Sequence, residues 1–159
     1  MKRDNYISWD TYFMGVAKLS ALRSKDPATQ VGACIINSDK RIIGIGYNGL
    51  PNGIKDEEFS WEKEGDFLKT KYPYVVHAEA NAILNATTNL KGSSLYVTLF
   101  PCNECMKLIV QSGIKEIVYM SNKDHGKDFN QASTYMMEKA GIKARQITME
   151  TIVLEKDNI

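Results

Sequence analysis

The sequence has few of the features that would direct a chain to a membrane, a polynucleotide or a disulfide-bonded scaffold. Twenty Lys and Arg residues stand against nineteen Asp and Glu, so the formal net charge is only +1. The basic excess typical of polynucleotide binders is therefore missing. No apolar run approaches the roughly 18 residues of a membrane span, and the N-terminus has no apolar run of signal-peptide length. These absences predict a cytoplasmic chain that acts on a small molecule, without membrane or nucleic-acid partners.

Cysteine and histidine are also scarce, with three and two residues. An odd number of cysteines, two of them in a C-x-x-C pair, indicates metal or redox chemistry and not a disulfide framework. Cys34, in an apolar run, is expected to be a buried small hydrophobe. Hydrophobic residues at 43% and charged residues at 25% are globular values. We expect one domain over residues 1–159, with a loop insertion at about 50–76.

The pattern of apolar residues predicts helices alternating with strands. Ser8 is the expected N-cap of a helix to about Ser24, and its core-facing stripe is predicted to be Trp9, Tyr12, Phe13, Val16 and Ala17. Residues 31–37 and 41–47 predict a hairpin, followed by an irregular loop over 46–53. The polar insertion after it is expected to be anchored by Phe59, Trp61 and Phe67. Further elements are predicted in the order helix 78–89, strand 95–100, helix 102–112, strand 117–120, helix 132–140 and strand 143–148. This order indicates an α/β sandwich.

Two short motifs carry the chemistry. His77-Ala78-Glu79 is followed 22 residues after the Glu by Pro101-Cys102-Asn103-Glu104-Cys105. Each motif begins a predicted helix, and helix N-termini favour the thiolate that binds metal. One His and two Cys leave a fourth position open, which is typical of catalytic and not of structural zinc. We expect His77, Cys102 and Cys105 to hold one Zn²⁺ per chain, and Glu79 to transfer protons beside it.

The motif order H-x-E then P-C-x-x-C is that of zinc-dependent nucleobase deaminases. With it in view, the chain resembles the cytidine/deoxycytidylate deaminase superfamily and, within it, the deoxycytidylate (dCMP) deaminases. The matching residues run from about 20 to 125 and fade past about 126. The zinc motif is common to the superfamily. The narrower resemblance is carried by the segments Gly46-Tyr47-Asn48-Gly49-Leu50-Pro51 and Lys71-Tyr72-Pro73-Tyr74.

The resemblance implies a three-layer α/β/α sandwich with a five-stranded mixed sheet. It also implies hydrolysis of dCMP to dUMP and ammonia, which supplies thymidylate synthesis. Water would attack carbon 4 of cytosine, while Glu79 protonates ring nitrogen 3 and then the leaving amine. The backbone around Ala78 would hold the base edge, and Asn48 would meet the deoxyribose hydroxyl. Arg23, Ser24 and Lys25 are candidates for binding the 5′-phosphate, with a solvated helix end as the alternative. Tyr119 is a candidate for stacking near the base, with core packing as the alternative.

The resemblance further implies a homohexamer that is activated by dCTP, with Mg²⁺ on the bound effector, and inhibited by dTTP. The effector site is expected in the loop and the insertion, at Gly46, Tyr47, Gly49 and Asn52. Three alternatives stay open. The chain could deaminate another nucleobase, nucleoside or nucleotide, it could edit tRNA adenosine, or it could be a zinc module without turnover. The near-zero net charge disfavours the second, and Glu79 disfavours the third.

Overall fold

The computed structural model describes residues 1–153. Its elements, in chain order, are α1 (Trp9–Ala21), β1 (Gly32–Ile36), β2 (Ile42–Tyr47), α2 (Ala78–Leu84), β3 (Ser94–Leu99), α3 (Asn103–Ser112), β4 (Glu116–Ser121), α4 (Asp128–Lys139) and β5 (Lys143–Gln146). The predicted order of helices and strands is confirmed. The last six residues of the predicted domain lie outside the described part of the chain.

The five strands form one mixed sheet in the order β2-β1-β3-β4-β5. Strand β1 runs antiparallel to both β2 and β3, as in the pair Ala33 with Val97. Strands β3, β4 and β5 run parallel to one another. Parallel neighbours need a crossover through a helix, which α3 and α4 supply. The five-stranded mixed sheet implied by the resemblance is confirmed.

Two apolar clusters cover the two faces of the sheet. The larger one joins alternate strand residues to α2, α3 and α4. The smaller one joins the opposite strand residues to α1 and includes Phe13, Met14, Cys34, Tyr96 and Val118. Cys34 is fully buried, as predicted, and its burial raises the pKa of the thiol to about 12. The architecture is therefore three layers, and within residues 1–153 α1 is the one helix on its side of the sheet.

Helix α1 begins as predicted, because the Ser8 hydroxyl accepts a hydrogen bond from the Thr11 amide at 3.1 Å. It ends at Ala21, three residues before the predicted end. The predicted stripe is partly wrong, since Trp9 and Tyr12 are 53% and 44% exposed. Met14 is buried in their place, because the face toward the sheet is centred one residue later along the helix.

Small residues let the helices approach the sheet closely. A Cβ atom at Gly32 would lie 1.8 Å from the carbonyl oxygen of Ala17 in α1. A Cβ atom at Gly46 would lie 2.3 Å from the carbonyl oxygen of Ala78 and 2.3 Å from the amide nitrogen of Ala82, both in α2. Only glycine fits such contacts. Helix α2, which carries Glu79, is therefore seated directly on β2.

The insertion contains only two short 3₁₀ helices, Asp56–Glu58 and Phe67–Lys69, and a bridge between Gly49 and Val76. Phe59 packs against Tyr74 with ring centroids 4.3 Å apart, and it is half-buried like Trp61. The prediction that Phe67 anchors the insertion is wrong. Phe67 is 62% exposed, and it begins a 3₁₀ turn that contains no buried residue.

Helix α2 ends at Leu84, five residues before the predicted end, where the Asn85 side chain donates a hydrogen bond to the Ile45 carbonyl at 3.0 Å. Among the residues described, no helix is long and apolar enough to cross a membrane.

Candidate metal centre and active site

The candidate metal ligands lie at two helix N-termini. His77 is the N-cap of α2, and Cys102 is the N-cap of α3. Cys105 follows in the first turn of α3 and is buried. The expected position of each motif at a helix start is confirmed. Because the two helices pack side by side on the sheet, residues 25 positions apart in sequence meet in space.

The geometry of the three side chains fits a tetrahedral zinc ion. His77 Nδ1 lies 3.4 Å from Cys102 Sγ and 3.4 Å from Cys105 Sγ. One ligand atom from each of the three residues lies within 4.8 Å of the others. Zinc bonds of about 2.1 Å to nitrogen and 2.3 Å to sulfur at the tetrahedral angle separate two ligand atoms by roughly 3.6 Å. A donor set of one imidazole and two thiols at this spacing suits zinc and leaves one coordination position open.

The two thiols have opposite tendencies to ionise. Hydrogen bonds from Cys105 and His77 lower the pKa of Cys102 to about 4, against the effect of burial. The pKa of Cys105 is raised, first by its hydrogen bond to the Cys102 sulfur and then by burial. The thiolate form is thus favoured at Cys102 and disfavoured at Cys105. A bound cation would draw the proton from the Cys105 thiol.

Glu79 lies beside these ligands and is only 4% exposed. Burial raises the pKa of its carboxyl group above the ordinary value, while the nearby His77 imidazole acts in the opposite direction. A carboxyl group with a raised pKa in a site of this kind can both accept and return a proton. Ala78, the residue between His77 and Glu79, is fully buried.

Asn48 is buried next to the end of β2, and its side chain is tied to three partners. Its Oδ1 accepts a hydrogen bond from the Val31 amide at 2.8 Å. Its Nδ2 donates to the Thr29 carbonyl at 2.9 Å and to Asp26 Oδ2 at 3.4 Å. The same Asp26 oxygen forms an ion pair with Lys71. Most of the hydrogen-bonding capacity of Asn48 is therefore used within the protein.

The candidate phosphate residues follow α1. The Ser24 hydroxyl donates a hydrogen bond to the Asn48 backbone carbonyl at 2.8 Å, so Ser24 lies next to Asn48. Lys25 forms an exposed ion pair with Asp56. Arg23 is exposed. The structure thus brings Ser24 to Asn48, whereas the two basic side chains extend toward solvent.

The remaining candidates divide between core and loop. Tyr119 packs edge-on against Phe100 at 5.0 Å and borders the larger apolar cluster. Gly46 is buried beneath α2, so an effector would have to contact the other three candidates of the loop. These are Tyr47, Gly49 and Asn52, of which Asn52 is exposed.

Sequence reasoning missed the ion pair between Asp26 and Lys71. Both residues lie in the stretch that carries the family resemblance, but no local pattern predicts either of them as part of the site. Their side chains are 2% and 9% exposed. Charged residues are rarely buried to this extent unless paired, yet nothing local in the sequence marks the two as partners 45 positions apart.

Comparisons with known proteins agree with this geometry. The family model of the cytidine and deoxycytidylate deaminase zinc-binding region matches residues 7–121. The chain is 53% identical to the deoxycytidylate deaminase of Homo sapiens, over 99% of this chain and 91% of that protein. It is 51% identical to the probable deoxycytidylate deaminase of Drosophila melanogaster, over 91% of this chain and 75% of the relative. The similarity therefore continues past residue 126, where it was expected to fade.

A solved structure has the same fold. The dCMP deaminase of cyanophage S-TIM5, in complex with dCMP and dUMP, superposes with a TM-score of 0.70 at 26% identity, over 86% of this chain and 94% of that one. Together with the five-stranded mixed sheet of this chain, the superposition confirms the fold that the resemblance implies. The chain belongs to the cytidine and deoxycytidylate deaminase family.

Proposed function

We propose that this protein catalyses the hydrolytic deamination of dCMP to dUMP and ammonia, and so supplies dUMP for thymidylate synthesis. The observation that carries the proposal is the near-complete coverage, at 53% identity, of a deoxycytidylate deaminase. The chain also offers the ligand set and the buried carboxyl group that such a reaction needs. The fold shared with a deaminase bound to dCMP and dUMP supports a nucleotide substrate.

His77, Cys102 and Cys105 would hold the metal ion of this reaction. Zinc bound there supplies a Lewis acid that makes water a nucleophile at neutral pH. The helix N-termini favour the ionised thiol of Cys102, and the burial of Cys105 keeps bulk water away from one side of the site.

Glu79 is the proton-transfer residue in this proposal. Its buried carboxyl group would take a proton from the attacking water and deliver it to ring nitrogen 3. It would then take the second proton from the new hydroxyl group on carbon 4 and pass it to the amine, which leaves as ammonia while the carbonyl forms. The raised pKa of the Glu79 carboxyl suits this exchange. It brings the proton affinity of the carboxylate closer to that of the groups with which it exchanges protons, namely the attacking water, ring nitrogen 3 and the amine.

The remaining contacts would orient the nucleotide. The backbone at Ala78 would hold the base edge, and Asn48 would meet the deoxyribose hydroxyl. Tyr119 would border the base from the Phe100 side. Ser24, with Arg23 and Lys25 beside it, would receive the 5′-phosphate, for which the two cationic side chains can swing from solvent.

Regulation and assembly complete the proposal. dCTP would activate and dTTP would inhibit a homohexamer by binding at Tyr47, Gly49 and Asn52, with Gly46 as the packing residue beneath them. Mg²⁺ would then be held mainly by the effector's phosphates, because residues 1–153 offer no second cluster of three metal ligands. A cytoplasmic location fits free thiols that serve as metal ligands.

The test is ammonia release from dCMP, CMP, deoxycytidine, cytidine and free cytosine, each with and without dCTP. Selective turnover of dCMP supports the proposal. Turnover of only the unphosphorylated compounds would replace dCMP by a nucleoside or base. A substrate curve that neither dCTP nor dTTP alters would remove the regulatory part and leave the catalytic part standing.

A further inference from the structure

The most deeply buried ion pair of residues 1–153 lies within the contacts of Asn48. Asp26 Oδ2 accepts from Lys71 and from Asn48, and Asp26 Oδ1 accepts from the amides of Ala28 at 2.8 Å and Thr29 at 3.2 Å. Burial raises the pKa of Asp26, but the hydrogen bonds from Lys71 and the two amides hold it below its ordinary value. The carboxylate is therefore ionised and fully occupied by donors.

Buried ion pairs add little to stability, because the loss of hydration offsets most of the attraction. Stability alone is thus a weak reason for placing a charged pair at this position. The pair does join three separate segments. Asp26 follows α1, Asn48 follows β2, and Lys71 opens the segment that leads to His77. The three segments meet at the side-chain amide of Asn48, and their contacts fix its orientation.

The donors and acceptors around Asn48 allow only one orientation of that amide. Both Nδ2 hydrogens point at acceptors, the Thr29 carbonyl and the Asp26 carboxylate, and Oδ1 faces the Val31 amide. A flipped amide would put Oδ1 against the carboxylate and Nδ2 against an N–H group. Because an amide oxygen has two lone pairs, one acceptor site remains free.

We propose that Asp26 and Lys71 are positioning residues that fix the Asn48 amide with its oxygen toward the substrate, where it accepts a hydrogen bond from the sugar hydroxyl. This inference rests on the proposed function, which assigns Asn48 to the one free hydroxyl of dCMP. Lys71 forms an ion pair with the Asp26 carboxylate, and this carboxylate accepts a hydrogen bond from Asn48 Nδ2. Asn48 Oδ1 therefore faces the other way and can act only as an acceptor. The site then selects for a hydroxyl donor and against a sugar that lacks it.

The experiment compares kcat/KM for dCMP with that for 2′,3′-dideoxycytidine 5′-monophosphate, which lacks the hydroxyl. In the wild type we expect a preference of about 10- to 100-fold for dCMP, the range for a buried hydrogen bond left unmade. Asn48→Ala should abolish the preference. Lys71→Met should reduce it at least about fivefold, mainly through a higher KM for dCMP, since the loss of one hydrogen bond of this kind is worth about that much.

A structural defect is separated from a positioning defect by two further measurements on each variant. Bound zinc per chain and the visible spectrum of the Co²⁺-substituted protein should equal those of the wild type, because the metal ligands are untouched. The matched control is Lys127→Met, which removes an exposed ion pair with Asp124 and should leave the preference unchanged.

A folded, zinc-loaded Lys71→Met protein that keeps the full preference would overturn the inference. If that variant does not fold, the double variant D26N/K71M takes its place, because it buries no charge. The amide introduced at position 26 would turn an NH₂ group toward Asn48 Nδ2, which can no longer donate to it. The preference for dCMP over the dideoxy nucleotide should therefore be lost in this variant as well, and a retained preference would contradict the inference. A wild type that deaminates both nucleotides equally defeats the inference alone, whereas a wild type inactive on dCMP defeats the proposed function.

Discussion

Gly46→Ala should show how closely activity depends on the packing of α2 against β2. The added Cβ atom would lie 2.3 Å from the Ala78 carbonyl oxygen and 2.3 Å from the Ala82 amide nitrogen. Both are backbone atoms, so no side chain can rotate away. Ordinary contact begins at 3.4 Å, and the N-terminal part of α2 would therefore have to move by about 1 Å. Overpacking of this kind costs about 1–3 kcal/mol of unfolding free energy.

The same displacement acts on the chemistry, because His77 and Glu79 flank Ala78 at the start of α2. Metal sites tolerate errors in ligand distance of only about 0.2 Å. A misplacement near 1 Å costs on the order of 100-fold in rate. We therefore expect kcat/KM for dCMP to fall about 100-fold, together with weaker zinc retention in a chelator competition.

The assay follows the loss of cytosine absorbance, with urea unfolding of the same preparation. The matched control is Gly15→Ala in α1, where the new Cβ would meet only the tip of Ile152 at 3.0 Å. A flexible side chain can yield there, and alanine favours the helix by about 1 kcal/mol. That variant should keep full activity. Wild-type activity and stability in Gly46→Ala would refute the argument that this glycine is required by the contact with α2.

Three other predictions concern the site and the sheet. Glu79→Gln should keep one zinc per chain, measured by metal analysis, yet lose about 10²- to 10⁴-fold in kcat, as expected for a lost acid–base group; near-normal kcat would rule out its role. Removal of zinc by a chelator should abolish turnover and lower the melting temperature, both restored by added zinc, whereas a fully active metal-free protein would contradict the site. Arg145, which pairs with Asp10 through two hydrogen bonds of 2.6 and 2.7 Å, lowers the pKa of that carboxyl. Arg145→Met should therefore cost about 1 kcal/mol of unfolding free energy at pH 7. Because a lowered pKa gives stability that is lost as pH falls, the difference from wild type should shrink below about pH 4; a difference that does not change with pH would exclude this pair as its source.

Local sequence patterns were sufficient where the physical cause is local. Ser8, which precedes apolar residues at helical spacing, predicts the start of α1. Gly113, which follows the apolar residues of the next motif, predicts the end of α3, and its φ is 80°. The spacing of Cys102 and Cys105 places both thiols on one helical turn wherever the helix lies. Glu79 comes near His77 for another local reason, because His77 is the N-cap of α2 and Glu79 lies in the first turn.

Local patterns failed where the cause is an environment that another segment provides. The face of α1 that is buried depends on how the helix crosses the sheet, so Met14 and not Trp9 reaches the core. The exposure of Phe67 depends on what packs over the insertion. An apolar period identifies a face only to within about one residue, because neighbouring side chains on a helix differ by roughly 100° in direction.

The sequence alone predicted the chemistry of the candidate site: a His and two Cys suited to zinc, a carboxyl group beside them, and helix starts that favour the ionised thiol. Only the tertiary structure decided how those parts meet. The α2 and α3 N-termini converge because glycines in β2 admit a close helix and because parallel strands set the helices side by side. Asp26, Asn48 and Lys71 form one buried network although they belong to three distant segments. Such contacts depend on chain topology, which no local spacing of residues encodes.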